Sequence, residues 1–189
     1  MKFKFLILLF ILIIVNTEVK AQNLSNRAAY RIGTFTAYTV LESLINLEAE
    51  AERGFYITRI CINPGTQTTA GHVPVQLIRT TTVSSAGTVI SPEQVANNYL
   101  SKNNPTDNNW AGIARTGGTE GTSGAGLDLF TVFIPTGTTL GNGEICKEYC
   151  IAGTKCPFVS KGVNNGVKLM FQGGTGAGFQ SASIDFVAQ

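Results

Sequence analysis

The sequence predicts an all-β protein, an antiparallel β-sandwich in a single domain, on three observations. Runs rich in β-branched and aromatic residues are short, about the length of strands. Gly, Pro and Asn cluster between them, as turn chemistry requires. Charged residues make up only 14% of the 189-residue chain, against about 25% in an average soluble domain. Its polarity comes instead from Thr, Ser, Asn and Gly, a composition suited to strands, long turns and surfaces that meet other protein surfaces.

The first residues form a separate unit. Lys2 and Lys4 precede the apolar run Phe5–Val15, and Val19-Lys20-Ala21 offers a small-residue cleavage site. The run is too short to span a bilayer, which takes about 20 apolar residues. Residues 1–21 therefore read as a signal peptide, with Gln22 as the mature start and no membrane span after cleavage. Residues 22–36 are mostly polar and read as an N-terminal arm, leaving residues 37–189 for the sandwich domain.

Within the body, Phe35, Ala37, Thr39 and Leu41 alternate in a strand-like way. Residues 39–53 are ambiguous. Leu41, Leu44, Ile45 and Glu48 fall at helical spacing, and Gly54 could close a helix. The alternative is a strand over Leu44–Leu47 and a turn near Glu52-Arg53-Gly54. The strand is the reading adopted, against local propensity, on grounds given with the resemblance below. Gly54–Gly65 follows as a dense β-former run stopped by Asn63-Pro64-Gly65, and reads as a central strand buried on both faces.

Val73, Val75 and Leu77 alternate with Pro74 and Gln76, which predicts a half-buried strand. Pro74 lacks a ladder donor and assigns that strand to a sheet edge. Ser91-Pro92-Glu93 could open one helical turn up to Tyr99. Trp110, the lone tryptophan, reads as a core anchor. The glycine density of Gly117–Gly126 predicts no regular element, whereas Leu127–Pro135 reads as a second strong strand, apolar on both faces. Residues 141–156 form a cysteine loop, and Val167, Leu169 and Phe171 mark another alternating strand. Phe179–Val187 ends the chain as a last one.

Four cysteines behind a secretion signal predict disulfides. Cys146, Cys150 and Cys156 cluster and Cys61 stands alone; three pairings are open, with at least one bridge expected inside 146–156. A structural zinc site is disfavoured, since no CxxC pair exists and His72, the only histidine, is remote in sequence.

Removing Lys2, Lys4 and Lys20 from the 14 basic residues and Glu18 from the 12 acidic ones leaves 11 of each in the mature chain. A neutral chain without a basic stripe argues against nucleic-acid binding.

Catalytic motifs are absent. GGTGAG at 173–178 lacks dinucleotide-binding spacing, no P-loop occurs, and GTSGA at 121–125 misses the nucleophile-elbow pattern. Asp107, Glu120, Asp128 and Glu144 could pair as glycosidase acids or form a weak Ca²⁺ site; solvated loop charge is the simpler reading. No cofactor is implied.

The order of segments resembles the small jelly-roll modules of phage-type virion structural proteins, those of head fibres or surface decorations. The residues that carry it are Leu44–Gly54, Phe55–Ile62, Val75–Thr80, Leu129–Pro135, Gly166–Phe171 and Ser181–Val187. The likeness covers roughly residues 40–189 and is one of pattern. It implies a jelly-roll-like sandwich, a strand at 44–50 and no catalytic residues. The signal peptide and the cysteine loop depart from the family and suggest recruitment to an extracellular role. The expectation is a secreted assembly subunit that forms homo-oligomers or filaments. The alternative is a glycan-binding or adhesion module using Tyr99, Trp110 and Tyr149.

Overall fold

The computed structural model describes residues 29–37, 43–63, 70–91, 93–94, 110–117, 119–134, 143–173 and 179–189. Residues 1–21, expected to be a signal peptide, and Tyr99 and Asp107 lie outside these. Among the described residues there are twelve strands and no helix. They form two six-stranded antiparallel sheets packed face to face, so the β-sandwich expected from the sequence is the observed fold. No helix of the described residues is long and apolar enough to cross a membrane.

The first sheet is centred on β3 (Phe55–Asn63) and β12 (Phe179–Ala188), with β1 (Ala29–Ala37) on the far side of β12. Short β6 (Glu93–Gln94) closes that side. At the other edge β9 (Ile145–Glu148) and β10 (Phe158–Val159) pair in turn with β3. The second sheet runs β5 (Thr88–Ile90), β7 (Ala114–Thr116), β2 (Ser43–Glu48), β11 (Gly166–Phe171), β4 (Gly71–Thr80), β8 (Ser123–Ile134).

The run 54–65 is the central strand expected. Phe55, Ile57, Ile60 and Ile62 are fully buried in the core. Its other face is only partly covered: Tyr56, Thr58 and Arg59 are half-buried, so the strand is less enclosed than its composition suggested. Gly54 precedes it because a Cβ there would collide with the Val159 carbonyl oxygen. Its glycine serves a close backbone approach, not a helix end.

Residues 44–48 are a strand, as the adopted reading held, and every residue of β2 is buried. Leu44, Ile45 and Leu47 belong to the core. On the opposite face Glu48 is enclosed, its Oε1 accepting the Ser84 N–H at 2.6 Å and the Ser84 hydroxyl at 2.7 Å. The same loop layer reaches β11, where buried Lys168 pairs with Glu120. These contacts cover β2 and β11 on both faces, and burial of that kind outweighs the few tenths of a kcal/mol per residue by which helix propensity differs.

Four expectations are corrected. Residues 29–36 are not an arm outside the body. With Ala37 they form β1, paired along its length with β12 of the same chain, and Ile32 is fully buried. Backbone pairing with β12 and the one buried Ile32 place a segment whose scattered apolar residues do not look like a core strand.

β4 is not an edge strand, since β11 and β8 flank it. Pro74 is tolerated because its ladder position lies just beyond Phe171, the end of β11. There its carbonyl accepts the Gln172 N–H at 2.8 Å, and no donor is called for. Ser123–Gly126 belong to β8 despite their glycines, for at an exposed edge little side-chain packing is lost. Glu93 and Gln94, assigned to a helical turn, pair as strand with β1.

Candidate functional site

The cysteines form two bridges, Cys61–Cys146 and Cys150–Cys156. The second is the bridge expected within 146–156. The first joins residues directly opposite on β3 and β9, so the segment 141–156 is partly strand and not loop throughout. Glu144 lies with Cys61 and Cys146 in a group of metal-ligand type, but bridged sulfurs offer no thiolate. His72 stands elsewhere, on β4 against the Phe133 ring at 5.2 Å.

Two of the three aromatics assigned to glycan contact are corrected. Trp110 is buried, edge-on to Phe55 at 5.7 Å and Phe186 at 4.9 Å. It is the core anchor that the lone tryptophan suggested. Tyr149 is 2% exposed. Neither offers a free ring face on which a sugar could stack. Tyr99 lies outside the described residues.

Tyr149 belongs instead to a polar cluster at the rim where β8 of one sheet approaches β9 of the other. Its N–H donates to the Thr58 carbonyl at 2.8 Å, prolonging the pairing of β9 with β3. Its hydroxyl donates to Asp128 Oδ2 at 2.6 Å, and Lys147 Nζ meets the same oxygen at 2.5 Å. Burial pushes the Asp128 carboxyl up, but hydrogen bonds from Lys147 and Tyr149, the Lys147 charge and the Leu129 N–H outweigh it. The net shift is below the ordinary value of 3.8. Burial, and then the bond to Asp128, push the Tyr149 phenol well above its ordinary 10.0.

A cleft of about 220 Å³ opens beside this cluster, lined by Asp128, Lys147, Glu148, Tyr149, Thr154 and Lys155. The wall with Thr154 and Lys155 is held by the Cys150–Cys156 bridge and by the Cys150 N–H donating to the Lys155 carbonyl at 2.9 Å. Of the acids considered for catalysis or Ca²⁺, Glu120 is paired with Lys168 and Asp128 with Lys147. Among the described residues Glu120, Asp128 and Glu144 do not meet as one ligand set.

β8 itself is the second feature of this rim. It is the outermost strand of its sheet, and among the described residues no strand pairs with its other side. Core and surface alternate along it: Val132 and Ile134 are buried, while Leu129 and Phe133 point outward, 59% and 39% exposed. The sequence showed an apolar strand here, but whether Leu129 and Phe133 flank a sheet edge depends on strand order, which no local pattern encodes. No family model matches this chain, and neither does any curated protein or solved structure with which it was compared.

Proposed function

We propose that this protein is a secreted structural subunit that assembles with copies of itself outside the cell or at its surface, without catalysis of its own. The observation that carries the reading is the β8 edge. It is long, unpaired among the described residues, and flanked by exposed Leu129 and Phe133. Proteins normally guard such edges with charge, proline or shortness.

Three further features support it. Two disulfides suit an oxidising compartment. A mature chain with equal numbers of basic and acidic residues opposes association weakly. The segment order resembles virion jelly-roll modules, which are themselves assembly units. Glycan binding is the weaker reading, because Trp110 and Tyr149 are buried and, among the described residues, the cleft at Asp128 is small.

The test is light scattering of the purified secreted protein during size-exclusion chromatography, with intact mass measured alongside. A particle mass of at least two chains, each starting at Gln22, is expected. A monomer at every concentration would refute assembly, and retention of residues 1–21 would refute secretion by cleavage.

A further inference from the structure

Resting on that assembly reading, we infer that β8 pairs antiparallel with β8 of a second copy about a two-fold axis through Thr131. Pro74 fixes which residues of β8 turn their backbone groups outward, and the pairing of Leu129 with Phe133 then sets the axis at Thr131. The Pro74 carbonyl points toward β11, where it accepts the Gln172 N–H, and a strand residue's nitrogen and carbonyl face the same side. Pro74 and Thr131 are directly opposite, so they form a non-hydrogen-bonded pair. The Thr131 N–H and carbonyl therefore face away from β4, into the open edge. With a period of two, those of Leu129 and Phe133 do the same.

The outward groups make this edge self-complementary. A two-fold axis at Thr131 sets Thr131 against Thr131 of the second copy, and Leu129 against Phe133 of the second copy. The Thr131 pair exchanges two hydrogen bonds, and each Phe133 N–H finds a Leu129 carbonyl, about four bonds in all. The Leu129 N–H stays with its own Asp128 carboxylate. On the outer face each Leu129 side chain lies beside a Phe133 ring, covering the two exposed apolar groups of the strand.

Among the described residues of this strand no charge opposes the contact. Residues 129–134 read Leu-Phe-Thr-Val-Phe-Ile, and Asp128 is turned inward onto Lys147. The other strands at the sheet edges are two to four residues long, whereas β8 has 12. The product is one continuous sheet joining two six-stranded sheets.

Thr131→Cys tests the register, because hydrogen-bonded partners sit about 5.5 Å apart at Cα, within disulfide reach. Mild oxidation of the purified, otherwise disulfide-intact variant should yield a linked dimer at least tenfold faster than Ser160→Cys on an exposed loop. Thr131→Lys, which sets two ammonium groups opposite each other, should raise the dimer dissociation constant at least tenfold at low salt. Thr131→Val should leave it within about twofold, since the backbone bonds remain. Circular dichroism confirms that each variant is folded. Self-association without preferential linkage at residue 131, or undiminished in Thr131→Lys, overturns this register while leaving assembly standing. A wild-type protein monomeric throughout overturns both.

Discussion

Tyr149 and Asp128 share one hydrogen bond whose two ends titrate at opposite limits of the pH range. Asp128 is held below 3.8 in the folded state, so its contribution to stability is present above that value and is lost as pH falls through the lowered pKa. Tyr149 is held above 10.0, so its contribution is complete below that value and is lost as pH rises beyond it. Tyr149→Phe should cost about 2 kcal/mol at neutral pH, a typical value for a hydrogen bond to a charged group. It should also flatten the alkaline limb of stability, whereas Asp128→Asn should flatten the limb below pH 3.8. Urea unfolding followed by circular dichroism from acid to alkaline pH reads both limbs. Unchanged limbs in the variants would place the pH dependence elsewhere.

At the scale of elements, the two disulfides constrain the chain unequally. Cys61–Cys146 spans 85 residues and staples β9 to the central strand, while Cys150–Cys156 spans 6 and closes one wall of the cleft. On chain entropy alone the long bridge contributes about 4–5 kcal/mol and the short one about 2 kcal/mol. Replacing Cys61 and Cys146 together by Ala should therefore lower the urea midpoint by about twice as much as replacing Cys150 and Cys156. Equal effects would show that the unfolded chain is already restricted near β9. The pairing itself was not legible from spacing. Cysteines 85 residues apart become neighbours only when β9 takes its register on β3.

In the whole molecule the first and last described strands are partners. β12 lies between β1 and β3, with Ile184 and Phe186 fully buried. Deleting residues 179–189 removes a central strand, and each large core side chain so lost is worth about 2–3 kcal/mol, against a total stability of about 5–15 kcal/mol. The truncated chain should show no cooperative thermal transition. Deleting residues 22–34 should fail similarly, because most of β1 and the buried Ile32 go with them. A folded product from the second deletion would mean that β12 is sufficiently covered without β1.

Legible from the residues alone were the fold class, the positions of β3, β4, β11 and β12, the core role of Trp110, and one disulfide within 146–156. Each rests on local chemistry: β-former runs, alternation, turn residues, the size of an indole and the closeness of three cysteines in the chain. Which strands are neighbours was settled by the packed fold. That choice placed Pro74 in a strand flanked on both sides, paired residues 29–36 with β12, buried Tyr149 against Asp128, and left Leu129 and Phe133 on a strand with one side unpaired among the described residues. Side-chain periodicity specifies only which face of a strand turns inward. Hydrogen bonding between strands is made by the backbone, which is nearly the same at every residue. Strand order therefore emerges from the packing of the whole sandwich.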